Sequence, residues 1–155
     1  MTLICWDGDT LAADTYLYAG SNADIILSHS FNKIWTSENF IFSVAGDESD
    51  YFRLKKKLKK ISDLDDLSDL EIGSESEAII FWRETPNNFY CHDGNHLITC
   101  KMDDIEAMGS PEDYALALLQ TGMSSEDTLK QSIKYHAGCG GKVKSIKPRE
   151  YFEWK

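Results

Sequence analysis

The residue at position 2 is a threonine, and its place in the chain could support hydrolysis by a terminal nucleophile. Thr2 is small enough for methionine aminopeptidase to remove Met1, which would leave Thr2 with a free α-amino group. An unperturbed α-amine has a pKa of about 7.7–8.0, so near neutral pH a useful fraction is an unprotonated base. A threonine hydroxyl activated by its own amine is a recognised nucleophile–base pair. The same start is also compatible with an ordinary first strand, so Thr2 alone does not decide the function.

The first fifteen residues predict a β-hairpin that brings a carboxylate back to this threonine. Asp7-Gly8 lies between two hydrophobic runs and favours a two-residue turn, because glycine accepts the positive φ that a type I′ turn requires. With those two residues as the loop, Thr2 faces Ala13. This register places Asp14 alongside the start of the chain.

Length and composition indicate one globular domain over residues 1–155. The chain is 42% hydrophobic and 27% charged, which is typical of such domains. Its net charge of −10 argues against nucleic acid or an acidic membrane as the main partner. No apolar run approaches the ~20 residues that span a bilayer. The N-terminus has no basic region followed by an apolar core, so we expect a cytoplasmic protein.

The cysteines and histidines do not predict a metal site. Cys91, His92, His96 and Cys100 flank a second hairpin signal, Asp93-Gly94. A two-residue loop would put Cys91 opposite His96, with Cys100 roughly 13 Å farther along its strand. One zinc ion needs all of its ligands within about 2.3 Å. We therefore predict a hairpin surface without metal, and reduced thiols at all cysteine positions.

The order of apolar patterns predicts an α+β fold with strands, two helices, strands, two helices and a last strand. Its simplest form is two packed sheets with helices outside. The first two predicted strands flank Asp7-Gly8 in the first hairpin, and the others cover residues 16–20, 23–29, 31–35, 40–45, 78–82, 89–92, 95–100 and 143–146, with a turn at 20–22. The predicted helices begin near residues 47, 64, 110 and 124, and Ser110 is the expected N-cap of the third.

Six lysines and arginines between positions 53 and 60 fall on the first predicted helix. They are compatible with a solvated helix face, balanced by the acidic segment 63–77, or with a surface that docks a partner. We favour the solvated face, because the opposite charge follows immediately in the chain.

Several short motifs, taken in order, resemble one family. They are T-L-I-C-W-D-G-D-T-L-A-A-D-T at the start, F-N-K-I-W, F-S-V-A-G, M-G-S-P-E-D-Y and C-G-G-K-V. From Thr2 to about Ile146 the chain resembles proteasome β-type subunits and the bacterial HslV peptidase. These are N-terminal-nucleophile hydrolases with a four-layer αββα sandwich. The small size and the single residue before Thr2 are similar to the compact bacterial or phage-type members.

The resemblance implies a role for each matching residue. Thr2 would be the nucleophile and its amine the base, while Asp14 would pair with Lys33. A buried cation beside Thr2 favours the alkoxide, and a carboxylate neighbour stabilises that cation against desolvation. Gly46 would offer a backbone N–H to the oxyanion. Ser110 would support the amine by a hydrogen bond.

Two positions depart from the family pattern. His136 and Cys139 stand where the family commonly has an aspartate and a serine near the amine, so they are candidates for support only. A histidine is not a dependable anion near pH 7. Pro111 follows Ser110 where a glycine is usual, so the local backbone is expected to differ.

The resemblance also implies partners and leaves alternatives. A peptidase of this kind would act on polypeptides, form a closed homo-oligomeric ring, be fed by a separate ATPase unfoldase and need no cofactor. A catalytically silent relative would keep the sandwich for assembly or binding. An amidase on a small molecule would use the same nucleophile. We favour the threonine peptidase, because Thr2, Asp14 and Lys33 are all present.

Overall fold

The structure, a computed structural model, describes residues 1–19 and 25–155 and forms eleven strands and five helices within them. The strands are β1 (Leu3–Trp6), β2 (Leu11–Asp14), β3 (Leu17–Ala19), β4 (Ile25–Ser28), β5 (Ile34–Thr36), β6 (Phe40–Ala45), β7 (Glu77–Trp82), β8 (Asn88–His92), β9 (Leu97–Lys101), β10 (Glu106–Gly109) and β11 (Val143–Ile146). The helices are α1 (Glu48–Leu58), α2 (Leu64–Ser68), α3 (Glu112–Gln120), α4 (Ser125–Tyr135) and α5 (Pro148–Tyr151). The turn predicted at residues 20–22 and the first residues of the strand predicted at 23–29 lie outside the described residues.

Two antiparallel sheets form the centre of the molecule. The first has four strands in the order β10-β1-β2-β11, and the second has five in the order β5-β6-β7-β8-β9. A small pair, β3-β4, stands apart from both. The predicted succession of strands and helix pairs is confirmed as far as β11, whereas β10 and the final helix α5 were not predicted.

The inner faces of the two large sheets pack against each other. Alternate residues of a strand point to one face, so Ile4 and Trp6 of β1 reach this inner core, where they meet Ile41 and Phe81 of the other sheet. The ring centroids of Trp6 and Phe81 are 4.8 Å apart, and those of Trp6 and Phe89 are 5.9 Å apart. Aromatic pairs at this spacing stabilise a core beyond the area that they bury.

Helices cover both outer faces. Leu54 and Leu58 of α1, with Leu67 of α2, pack on the five-stranded sheet. Ala115 of α3 and Leu129 of α4 pack on the four-stranded sheet. The layers therefore run helix, sheet, sheet, helix, and the predicted four-layer αββα sandwich is confirmed. No helix of the described chain is both long and apolar enough to cross a membrane.

The first hairpin has a longer loop than predicted. Ile4 pairs with Ala13, so the loop covers residues 7–10 and the predicted two-residue loop is wrong. The Asp7 side chain accounts for the difference, because its Oδ1 accepts the backbone N–H of Asp9 at 3.0 Å and of Thr10 at 2.7 Å. A shift of two residues leaves every side chain on its predicted face.

The second hairpin is corrected in the same way. Cys91 pairs with Ile98 and not with His96, because Asp93 Oδ1 accepts the N–H of His96 at 2.7 Å within a four-residue loop. The Sγ atoms of Cys91 and Cys100 are 3.7 Å apart, so the two thiols are closer than the predicted spacing suggested. Among the described residues there is no group of three or more ligating side chains that could hold a metal ion.

Helix α3 begins one residue later than predicted. The expected N-cap at Ser110 is wrong, since Pro111 occupies the N-cap position and no side chain caps the helix there. Ser110 instead extends the strand pairing of β10, and its N–H donates to the carbonyl of Thr2 at 2.8 Å. The Ser110–Pro111 peptide bond is cis.

Candidate active site

Thr2 lies half-buried directly before the first residue of β1. Its carbonyl oxygen accepts the N–H of Ser110 and packs on the Cα of Gly109. Gly109 has a φ of +92°, and a Cβ at this position would overlap that carbonyl oxygen. Only glycine allows this close approach, so β10 fixes the backbone of Thr2 from one side.

Two clefts open beside Thr2. The narrow cleft, about 50 Å³, is bounded by Thr2, Lys33, Val44 and Gly46, with further wall residues. The wide cleft, about 270 Å³, is bounded by Thr2, Gly46 and Ser110 among others. Three of the predicted site residues therefore line each cleft, and Thr2 and Gly46 line both.

A buried ion pair joins the first hairpin to the start of β5. The Nζ of Lys33 lies 2.7 Å from Asp14 Oδ1, and the two side chains are only 3% and 0% exposed. The same Nζ donates to the carbonyl oxygen of Met1 at 3.3 Å. The cation thus contacts the peptide group that precedes Thr2.

Asp14 is held by backbone groups as well as by the lysine. Its Oδ1 accepts the N–H of Leu3 at 3.1 Å, and its Oδ2 accepts the N–H of Gly140 at 3.0 Å. A carboxylate with several charge-assisted partners keeps one orientation. The prediction that Asp14 lies alongside the start of the chain is confirmed in the corrected hairpin register.

Burial changes the proton affinities at this site. It lowers the pKa of the Lys33 ammonium, and the charge of Asp14 opposes that shift. Burial, followed by repulsion from Lys33, also lowers the pKa of the terminal amine at Met1. Burial of the amine and its repulsion by Lys33 therefore both favour the neutral form of the terminal amine near neutral pH.

A short side-chain turn positions Lys33. Asn32 Oδ1 accepts the N–H of Ile34 at 3.2 Å, and the N–H of Phe31 donates to the carbonyl of Thr15 at 2.9 Å. These bonds bend the chain before the sheet, so β5 begins at Ile34 and not at residue 31 as predicted. Lys33 lies at the end of that bend, directed toward the first hairpin.

Gly46 ends the buried strand β6 with a φ of +134°. A Cβ at position 46 would collide with Ser76 of the neighbouring loop, so this contact requires a glycine at position 46 as the φ angle does. Ser76 Oγ accepts the N–H of Asp47 at 3.1 Å and donates to Asp50 Oδ2 at 2.6 Å. The backbone that follows Gly46 is therefore anchored from two sides.

The two candidate support residues do not bring their side chains to Thr2. Cys139 is buried with Leu3 and Cys5 on the helix side of the four-stranded sheet. Burial, aided by the nearby charge of Asp14, raises the pKa of its thiol to about 12. The contact with the site comes instead from the main chain of the next residue, because the N–H of Gly140 donates to Asp14.

His136 lies farther along the same turn. Its ring centroid is 4.4 Å from that of Tyr114 on α3. Within residues 1–19 and 25–155, no hydrogen bond or ion pair joins His136 to Thr2, Asp14 or Lys33. No contact among the described residues supports the predicted role of His136 beside the amine.

The site includes residues to which the sequence assigned no role. Thr15 Oγ1 accepts the N–H of Lys142 at 2.8 Å and donates to the carbonyl of His29 at 2.7 Å, which ties the end of β2 to the Gly140 turn. Ser76 supports the Gly46 turn. Gly140 could have been predicted as a site residue, because it belongs to the C-G-G-K-V motif. Thr15 and Ser76 could not, because a single threonine or serine in a polar stretch indicates no particular contact.

Comparison with known proteins finds likeness at the level of structure. No family model matches this sequence, and no curated protein matches it. The BPH protein of Thiobacillus denitrificans is 15% identical with a TM-score of 0.69, over 94% of this chain and 96% of that chain. Its complex with epoxomicin is 14% identical with a TM-score of 0.66 over the same shares. Eukaryotic HslV from Trypanosoma brucei is 17% identical with a TM-score of 0.64, over 94% of this chain and 98% of that chain.

Likeness at these identities shows the fold. The chain has the HslV-type αββα fold over nearly its whole length, and the resemblance predicted from its motifs is confirmed at that level. The catalytic roles of the site residues remain predictions.

Proposed function

We propose that this chain is an N-terminal threonine peptidase that cleaves polypeptides through Thr2 once Met1 has been removed. One observation carries the proposal. The buried Lys33, fixed by Asp14, directs its ammonium to the carbonyl of Met1 at 3.3 Å, the group bonded directly to the nitrogen of Thr2. After the removal of Met1, the Lys33 ammonium would lie beside the α-amine of Thr2 and could take part in the reaction there.

The chemistry follows from these positions. The neutral α-amine of Thr2 takes the proton of the Thr2 hydroxyl, whose oxygen attacks the carbonyl carbon of a substrate peptide bond. The ammonium of Lys33 stabilises the developing alkoxide. The peptide nitrogen leaves with a proton, and the acyl group remains on Thr2 as an ester. Water then hydrolyses that ester and restores the hydroxyl.

The negative charge on the attacked carbonyl oxygen needs a donor. Gly46 lines both clefts beside Thr2, and its backbone N–H is our candidate oxyanion donor. The homo-oligomeric ring and the separate ATPase unfoldase that the resemblance implies belong to the same proposal, as does the cytoplasmic location expected from the N-terminal sequence.

A catalytically silent relative is the second candidate. The observation that favours it is the placement of the two departures from the family pattern. His136 packs on Tyr114, Cys139 is buried with the residues under the helix layer, and neither is the aspartate or serine of the family pattern. Such a protein would keep the sandwich for assembly or binding.

The intact mass of the untagged protein tests the proposal. We expect the loss of Met1 and, after treatment with the epoxyketone epoxomicin, a single adduct on Thr2. Thr2→Ala should abolish peptide turnover and the adduct without altering the far-UV circular dichroism, whereas Thr2→Ser, which keeps a hydroxyl, should retain both. Full turnover by Thr2→Ala would refute the mechanism, and a protein that keeps Met1 and forms no adduct would favour the silent relative.

A further inference from the structure

Glu77 connects the two sheets at the wide cleft. It begins β7 in the five-stranded sheet, where it pairs with Ala45, the last residue before Gly46. Its side chain is half-buried and crosses to the four-stranded sheet, where Oε2 accepts the N–H of Gly109 at 3.1 Å. A bond of this kind cannot belong to either strand ladder, because it joins strands of different sheets.

The group that Glu77 binds is close to the proposed nucleophile. Gly109 pairs with Leu3 in β1, and the next residue, Ser110, donates to the carbonyl of Thr2 at 2.8 Å. Gly109 also packs against that carbonyl through its Cα. A displacement of Gly109 would therefore move the backbone of Thr2.

Within residues 1–19 and 25–155, the bond to Gly109 is the only side-chain hydrogen bond of Glu77. In the described part of the chain, Glu77 has no ion pair with a lysine or arginine. Its neighbours are carboxylates as well, and burial, followed by the charge of Glu77, raises the pKa of Glu112. The hydrogen bond from the N–H of Gly109 stabilises the Glu77 carboxylate in this acidic surrounding, and the same N–H also acts on Glu112, whose pKa it lowers against the larger effects of burial and charge.

We infer that Glu77 is a positioning residue for the reaction at Thr2. This inference rests on the proposed function. The nucleophile is carried by the four-stranded sheet and the proposed oxyanion donor, Gly46, by the five-stranded sheet. The bond from Glu77 to Gly109 sets the distance between these two parts. A misplacement of about 1 Å between reacting groups can reduce a rate about 100-fold.

Kinetics of three variants test the inference with a fluorogenic peptide. Glu77→Ala should lower kcat on the order of 100-fold with little change in KM. Glu77→Gln keeps an oxygen that can accept the N–H of Gly109, so it should stay within about tenfold of the wild-type kcat. Glu84→Ala is the matched control, because this exposed glutamate lies just beyond the other end of β7; it should leave kcat unchanged.

Hydrogen exchange supplies a readout that is independent of turnover. The amides of Gly109 and Ser110 should exchange faster in Glu77→Ala than in the wild type, and Glu77→Gln should restore their protection. Glu77→Asp withdraws the acceptor by one methylene but keeps the charge. It should behave like Glu77→Ala, and it replaces that variant if the alanine protein does not fold.

The outcomes separate this inference from the proposed function. An active wild type with an equally active Glu77→Ala overturns the inference alone. Equal losses in Glu77→Gln and Glu77→Ala would assign the effect to charge and would also overturn it. A wild type without turnover and without an adduct on Thr2 overturns the proposed function, and the inference with it.

Discussion

Two aspartates of this molecule are almost completely buried, yet their surroundings differ. Asp14 is 0% exposed at the end of β2, and Asp50 is 2% exposed in the first turn of α1. Asp14 binds the Lys33 ammonium and two backbone N–H groups. Asp50 binds the hydroxyl of Ser76 and the guanidinium of Arg53.

The exposure of the partner cation distinguishes the two sites. The Lys33 side chain is 3% exposed, whereas that of Arg53 is 52% exposed. An exposed guanidinium keeps most of its hydration, so its pair with Asp50 forms at little desolvation cost. Removing both charges of Lys33 and Asp14 from water is expensive, and such pairs often add little net stability. Under the proposed function we therefore assign the pair beside Thr2 to the reaction and the pair in α1 to support of the Gly46 turn.

Asp14→Asn should give the largest effect. It leaves the Lys33 ammonium buried without a counter-charge, which costs about 3–5 kcal/mol of unfolding free energy. Turnover should fall on the order of 100-fold or more, because the cation near Thr2 loses its orientation. Urea denaturation and kcat with a peptide substrate measure the two effects. If kcat were unchanged, the ion pair would have no part in the reaction.

The same variant should change how stability depends on pH. Burial lowers the pKa of Lys33, and Asp14 opposes that shift, so the pKa should fall further in Asp14→Asn. The unfolded chain then binds more protons than the folded chain at pH values between the lowered pKa of Lys33 and its unfolded value of about 10. The unfolding free energy should therefore rise with pH up to about 10, and the rise should begin at a lower pH than in the wild type. Equal slopes in the two proteins would contradict this account.

Asp50→Asn should have a smaller effect, which sharpens the comparison. An asparagine oxygen can still accept the Ser76 hydroxyl, and Arg53 can return to water. We expect a loss of about 1–3 kcal/mol in unfolding free energy and at most about a tenfold loss of kcat, through the turn at Gly46. Urea denaturation and peptide kinetics, measured beside Asp14→Asn, give both values. A loss of turnover larger than that of Asp14→Asn would reverse the assignment of the two carboxylates.

The sequence predicted the layers, the pairing of Asp14 with Lys33 and the place of Gly46 after a buried strand, because those features are periodic or carried by motifs. The apolar run of β6 indicated a strand buried on both faces, and all six of its residues are buried. The hairpin registers were missed because Asp7 and Asp93 accept backbone N–H groups and so lengthen loops that a glycine alone would shorten. Local side-chain competition of this kind has no periodic signature.

Contacts between distant segments could not be predicted for a different reason. Glu77 meets Gly109 across 32 positions, and Gly140 meets Asp14 across 126. Such pairs form only once the two sheets are packed. Ser110 shows the same limit, since its pattern was that of an N-cap but its N–H belongs to the strand pairing beside Thr2.

Cys139→Ala should give the smallest effect, although this cysteine lies next to the Gly140 turn. The thiol is 4% exposed, and its pKa is raised to about 12, so it stays protonated and shielded between pH 7 and 9. We expect the kcat of the variant within about threefold of the wild type, because the main chain of Gly140 binds Asp14 and the thiol does not. In the wild type, Cys139 should resist alkylation by iodoacetamide. Unfolding free energy should fall by about 1 kcal/mol through the small cavity that remains. A loss of turnover as large as that of Asp14→Asn would place the thiol in the reaction itself and would extend the site beyond the ion pair and its backbone donors.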